Sequence, residues 1–284
     1  MTEKENQLSK NIDDDVIRDF GREWQTFDQS KLTVEEQKHY FNSYFNIFPW
    51  EKISNQSKGF DAGCGTGRWA ELFAPKIAEL NCIDPSSAID IAKIKLEKLS
   101  NCNFIQSKIE NMPLPDKSMD FGYSIGVLHH IPDTQNAIND CTRKLKSGAP
   151  FLVYLYYAFD NKPKWFRAIW KITDFFRILI SRLPHLIKII ITTLIALIIY
   201  YPIAKSSLIL DKIGIDVENI PLNAYREASF YTIRTDALDR FGTKIEQRFT
   251  KMQIKEMLIK GGLENISFSD KSPYWCAVGY KKNQ

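Results

Sequence analysis

Gly59-Phe60-Asp61-Ala62-Gly63-Cys64-Gly65-Thr66-Gly67-Arg68-Trp69 decides the fold. A short apolar run ends in an aspartate, three glycines follow at alternate positions, and a helical pattern begins at Arg68. The order is a strand, a glycine turn and a helix start. Glycine has no Cβ and tolerates positive φ, so such a turn lets a ligand approach the backbone closely. A dinucleotide fingerprint would need its third glycine at position 68, which is Arg. A phosphate-cradling loop would need a Gly-Lys-Ser/Thr ending, and the turn has none.

Downstream, strands and helices alternate, which argues for a parallel α/β sheet. The pattern predicts strands at about 58–62, 80–84, 103–106, 119–125 and 151–157. It predicts helices at about 67–78, 85–99 and 134–146, the last stopped by Gly148. Far downstream come a helix at 251–261 and two closing strands, 263–269 and 274–280. Asp84 then falls at the carboxyl end of a strand, where open α/β sheets bind ligands. The chain divides into an N-terminal arm (1–57), an α/β core (58–157), a helical insertion (158–249) and a C-terminal segment completing the sheet (250–284).

Asp61, Gly63, Gly65 and Gly67 make an Asp-x-Gly-x-Gly-x-Gly motif that resembles the class I S-adenosylmethionine (SAM)-dependent methyltransferases. A tight ligand-free turn is the alternative. Pro113-Leu114-Pro115-Asp116 and the stretch Ser124-Ile125-Gly126-Val127-Leu128-His129-His130-Ile131-Pro132-Asp133 extend the resemblance to the small-molecule and lipid branch of that family. It implies a Rossmann-like, doubly wound, mostly parallel seven-stranded sheet with a large helical insertion after strand 5. It also implies SAM as cofactor. The glycine turn would pass under the methionine part and Asp61 would meet its ammonium. Asp84 would accept the ribose hydroxyls, or cap the helix after Pro85. Where the family often carries an adenine-binding Asp, this chain has Lys108, which leaves Ile109 and Glu110 for the adenine. Ser124 joins the cofactor set. His129 and His130 fall beside the methyl position, where a His near its ordinary pKa can take a proton from a hydroxyl or amine. The alternative for both is packing.

The insertion should decide the acceptor. About ninety residues separate strand 5 from the helix at 251, far more than an ordinary connection. Its first half mixes aromatics with Lys162, Lys164, Arg167, Lys171, Arg177, Arg182 and Lys188. An apolar run, Ile189 to Tyr201, follows. The 16 residues between Lys188 and Lys205, with Pro202 among them, are short for a membrane span. A helix lying in a membrane interface, held partly by anionic headgroups, fits 162–205 better; a buried lid or dimer face is the alternative. Tyr225, Tyr231, Asp236 and Arg240 are the polar candidates for the acceptor wall. In the aromatic N-terminal arm, Trp24 is a further substrate candidate, placed where the family covers its cofactor.

The reading is therefore a SAM-dependent methyltransferase of an amphiphilic or lipid-like acceptor, cytoplasmic and peripheral on the inner membrane surface. The rivals are a methyltransferase of a soluble small molecule and a SAM-binding protein without turnover. The net charge of +4 is too small to imply nucleic-acid binding. Five scattered cysteines, without paired spacing, imply reduced thiols and no metal site. The polar, acidic start of the chain, Thr2 to Asp15, carries no signal-peptide pattern. Oligomeric state and acceptor atom stay open.

Overall fold

The computed structural model describes residue 11 and residues 13–283; most of the acidic start of the chain lies outside them. By contacts the chain forms two compact units. Unit 1 comprises residues 1–29, 37–158 and 245–284, and unit 2 residues 30–36 and 159–244. The segment 245–249, grouped with the insertion from sequence, thus belongs with the α/β core.

Unit 1 is built on seven strands. They are β1 (Lys58–Ala62), β2 (Glu79–Asp84), β3 (Cys102–Gln106), β4 (Phe121–Ile125), β5 (Pro150–Tyr154), β6 (Leu263–Phe268) and β7 (Ala277–Lys281). Their order in the sheet is β3-β2-β1-β4-β5-β7-β6, and β7 runs antiparallel to both its neighbours. The interior strands β1, β2, β4 and β5 are buried almost throughout, as strands covered on both faces should be. Side chains alternate between the faces. Phe151 and Val153 join one core with Phe60, Ile83 and Leu128, while Leu152 joins another with Phe73, Leu80 and Tyr123.

The helices α1 (Asp14–Thr26) and α2 (Val34–Tyr44) precede the sheet, and α3 (Ala70–Phe73), α4 (Ala88–Lys95) and α5 (Thr134–Arg143) connect its strands. The helix expected over 67–78 is shorter than the pattern suggested. It ends at Phe73 and passes into a 3₁₀ turn, Ala74–Lys76, because Pro75 has no N–H to continue an α-helix. Strand order reverses between β1 and β4, so the crevice for a ligand opens beyond their carboxyl ends.

Unit 2 is helical. It contains α6 (Lys164–Ile180), α7 (His185–Ile195), α8 (Tyr201–Lys212) and α9 (Phe230–Gly242). A π turn, Ala196–Tyr200, joins α7 to α8, so His185–Lys212 is one continuous helix of 28 residues. Pro202, expected to limit this apolar segment, does not. It sits in the first turn of α8, directly after the π turn, where the altered register accommodates a residue without an N–H. The helix α10 (Lys251–Lys260), back in unit 1, opens with a capping box from Thr250 and Gln253.

Phe73 holds one face of the sheet together. Its ring lies 4.9 Å from Phe121 and 5.0 Å from Tyr123, and meets Phe48 at 5.3 Å and Trp50 at 5.0 Å from the segment before β1. Replacing Phe73 by Ala is expected to cost about 3–5 kcal/mol of stability. Denaturant unfolding of the two proteins checks this.

Candidate active site

The three glycines of the turn do different work. All have positive φ. A side chain at Gly63 would strike Val127, 2.4 Å from the Cβ position, and one at Gly67 would strike Leu96 at 2.6 Å. These two glycines let the turn pack against the loop after β4 and against the C-terminal end of α4. At Gly65 the nearest atom is the Trp24 indole nitrogen at 3.6 Å. Gly65 is the one of the three whose Cα faces space that a side chain could fill.

Asp61, next to last in β1, is fully buried, and neither carboxylate oxygen has a hydrogen-bond partner among the described residues. The Tyr123 hydroxyl is close enough to favour the charged form, but no hydrogen bond of normal geometry joins the two. Burial pushes the Asp61 pKa well above the carboxylate range; the Tyr123 hydroxyl opposes this, and Asp84 adds repulsion. A buried carboxylate of this kind must hold a proton or meet a cation.

Asp84 is also buried, and burial raises its pKa against the pull of its hydrogen bonds. It accepts from the Gly65 amide at 2.9 Å, the Ser86 amide at 2.8 Å and the Ser86 hydroxyl at 2.6 Å. A carboxylate offers about four acceptor positions, so about one is left for a ribose hydroxyl, fewer than the two expected from sequence. The carboxylate therefore ties the glycine turn to the start of the next helix.

Several residues expected at the cofactor have partners within the protein. The Ser124 hydroxyl is fully buried and donates to the Ala62 carbonyl at 2.7 Å, tying β4 to β1. Ile109 is buried in the core cluster with Met112 and Leu114. Glu110 accepts from the Asn11 amide at 2.9 Å. Lys108 pairs with Asp14 at 2.9 Å. These last two contacts fasten the N-terminal arm, as do the 3.1 Å bond from Gln25 to Ser87 and the contact of Gly21 with the same serine.

The arm also relates the two halves of the site. Phe20 meets His130 edge-on at 4.9 Å, and Trp24 lies over Gly65. Positions four apart share a helix face, separated by about 6 Å along the axis. His130 and the glycine turn thus lie under one face of α1.

His129 and His130 occupy a 3₁₀ turn after β4. His129 is fully buried, with no hydrogen-bond partner for either ring nitrogen among the described residues, and is stacked on Tyr156 at 3.8 Å. Burial first, then His130 and Arg248, hold its pKa well below the ordinary range, so it stays neutral. His130 Nδ1 lies 2.6 Å from the Ile245 carbonyl. A carbonyl only accepts, so this partner assigns the proton to Nδ1. Nε2 is buried and has no hydrogen-bond partner among the described residues.

Sequence reasoning missed the segment that supplies this carbonyl. Residues 245–249 return beside the stretch that follows β5: the Phe249 amide donates to the Tyr156 carbonyl and the Ala158 amide to that of Phe249, each at 2.9 Å. Gln247 donates from its amide to the His129 carbonyl at 3.1 Å and from its side chain to that of Ile131 at 2.7 Å. On the alternate positions, Glu246 pairs with Arg248 at 2.7 Å, and Arg248 lies 5.0 Å over the Tyr156 ring. Burial disfavours the Arg248 charge, and Glu246 outweighs it. The available signal was the period-two alternation Ile245-Glu246-Gln247-Arg248-Phe249.

The acceptor candidates of the insertion belong to unit 2. Arg240 is buried, 3.6 Å from Asp174 and 5.8 Å over Trp170, which is a packing role within that unit. Tyr225 lies 6.1 Å from Tyr200. Tyr231 and Asp236 are half-buried on α9.

Comparison with known proteins places this arrangement. Residues 60–153 match the Methyltransferase domain family. The uncharacterized methyltransferase YcgJ of Bacillus subtilis is 30% identical over 101 residues, which is 34% of this chain and 40% of that protein. A ubiquinone biosynthesis O-methyltransferase of Coxiella burnetii is 31% identical over 121 residues, 37% of this chain and 52% of that protein. The matched region thus spans about half, or less, of the curated relatives' length. A solved SAM-dependent methyltransferase of Thermotoga maritima shares the fold with a TM-score of 0.51 at 15% identity, over 94% of this chain and all of that one.

SAM is the methyl donor of this family, and the residues present fit it. The unpartnered Asp61 carboxylate suits the ammonium of its methionine part, and Gly65 gives the backbone approach. Asp61→Asn removes the charge and nearly keeps the shape. It is expected to weaken SAM binding by roughly 10- to 100-fold, the worth of a hydrogen bond to a charged group. The ligand-free variant should gain stability at neutral pH. The folded protein holds the Asp61 proton to higher pH than the unfolded chain does. This contribution is therefore complete below the unfolded pKa and is lost as pH rises through the folded one. Calorimetry with SAM and melting curves against pH check both signs.

Proposed function

We propose that the whole chain, whose residues 60–153 match the Methyltransferase domain family, transfers the SAM methyl to an amphiphilic or lipid-like acceptor at a membrane surface. The observation that carries the acceptor class is the surface of unit 2. Ile172, Phe175, Ile190 and Ile198 are each at least 60% exposed. Apolar surface on this scale marks a lipid or partner surface. The relative named for ubiquinone biosynthesis supports an acceptor with an apolar part.

SAM, when bound, supplies a methyl made electrophilic by its sulfonium. The protein's part is to bind, orient and keep water out. Asp61 would hold the SAM ammonium and Asp84 would accept from its ribose. Trp24 and Phe20 cover the crevice beside Gly65 and His130. His130 Nε2 takes the proton of an acceptor hydroxyl or amine; the Ile245 carbonyl orients the ring and favours the imidazolium that forms. His129, neutral and stacked on Tyr156, backs that ring at a centroid distance of 4.0 Å.

His130→Ala should lower turnover by about 10²–10⁴-fold while SAM affinity stays the same. A loss smaller than about threefold would assign His130 to packing. Incubation with methyl-labelled SAM and a membrane lipid extract should carry label into the organic phase. Label found only in water-soluble products would overturn the lipid-like acceptor and leave methyl transfer standing.

A further inference from the structure

Soluble helices turn their large apolar side chains inward and their polar ones outward. The helix His185–Lys212 does the reverse. Its buried stripe is Lys188, Thr192, Ala196, Ala204 and Ser207. Leu186, Ile190, Leu194, Leu197, Ile198 and Ile209 face outward, the least exposed of them at 49%. Small and polar residues in the helix contact with apolar residues outside is how helices pack in lipid. On α6, Trp165, Ile172, Phe175 and Phe176 are 50–60% exposed.

The cations are distributed to match. Several that the sequence offered to headgroups are turned inward. Lys188 donates to the Gly242 carbonyl, Arg177 to those of Thr243 and Lys244, and Lys205 to those of Arg226 and Ala228. The charged residues left exposed between 163 and 201 are Lys164, Lys171 and Arg182, all positive. The acid of that stretch, Asp174, pairs with Arg177 and Arg240. From 163 to 201 the apolar surface is flanked by exposed cations and by no exposed acid, which complements an anionic lipid surface; Asp160 before α6 and Asp211 at the far end of the long helix are exposed outside that stretch.

At 28 residues the helix is about 42 Å long, more than the roughly 30 Å of a hydrocarbon core. Length therefore permits a crossing, but sheet topology forbids a single one. β5 precedes the helix and β7 follows it, and the two pair from Pro150↔Tyr280 to Val153↔Ala277. Both ends of residues 159–244 must therefore leave on the same side. Among the described residues no second helix is long and apolar enough to return the chain. α6 carries Lys164, Arg167, Lys171, Asp174 and Arg177, which bars it from that part.

We propose that unit 2 is embedded in one leaflet of an anionic bilayer, with the outer faces of α6 and His185–Lys212 in the acyl region and neither helix crossing. This rests on the membrane-surface part of the function proposed above and not on methyl transfer. Attachment is chiefly apolar, so it should outlast the electrostatic attraction expected from sequence.

The test is flotation of the full chain with sealed phosphatidylglycerol–phosphatidylcholine vesicles. The protein should float at low salt and still float at about 1 M salt, where charges are screened within about 3 Å. The triple variant Ile190→Asp, Leu194→Asp, Ile198→Asp should reduce flotation at least about tenfold. SAM affinity, measured alongside, should stay unchanged and thus report an intact unit 1. Brominated acyl chains should quench tryptophan fluorescence, and Trp165→Phe should remove most of that quenching. Three results overturn the proposal. One is release at high salt. Another is a soluble dimer that the triple variant dissociates, which assigns the face to a second copy. The third is a C-terminal tag shielded within vesicles that leave an N-terminal tag open to protease, which means a crossing.

Discussion

A buried carboxylate with no counter-charge among the described residues is the constraint around which the site is arranged. Asp61 sits near the end of a fully covered strand, beside the point where strand order reverses. Its charged form is disfavoured by burial and by Asp84. The ligand-free protein therefore carries an electrostatic penalty there, relieved when a cation arrives. The turn that follows is shaped for the same event. Gly63 and Gly67 are glycine because Val127 and Leu96 leave no room, and Gly65 leaves an approach. Asp84 fixes the turn through the Gly65 amide, so the two acidic residues divide the work of holding shape and accepting charge.

The returning segment 245–249 governs the other half of the site. Its alternate residues face opposite ways. Gln247 clamps the carbonyls of His129 and Ile131, while the Glu246–Arg248 pair lies against Tyr156. Its first carbonyl selects which His130 nitrogen bears the proton. Ring orientation and tautomer at the expected base are thus set by a stretch more than a hundred residues away in sequence.

The sheet was legible because its signals are local. The motif from Asp61 to Gly67 marks the first strand and turn, and apolar runs mark the rest. Individual roles within the site were less legible, because they depend on which lone pair is already used. Nothing in the sequence says that the Ser124 hydroxyl is spent on Ala62, or that Asp84 is mostly occupied by its neighbours. Pro202 misled for a related reason. A proline ends a helix by its missing N–H, unless a wider turn before it absorbs the change, and that turn leaves no pattern in the residues. The cations of the insertion showed their number but not their direction, since Lys188 and Arg177 are turned inward by carbonyls on distant segments.

The placement of β7 between β5 and β6 sets a timetable for synthesis. A chain made from its N-terminus produces β5, then residues 159–244, and only afterwards the strands that complete the sheet. Through that interval the edge of β5 is an open template for wrong pairing. Closing it requires contacts between residues more than a hundred positions apart, which are slow to form. The apolar helices meanwhile have already emerged. A nascent chain whose helices settle early on a lipid surface would hold its two sheet segments close together, so the surface would serve the newborn protein as a folding platform.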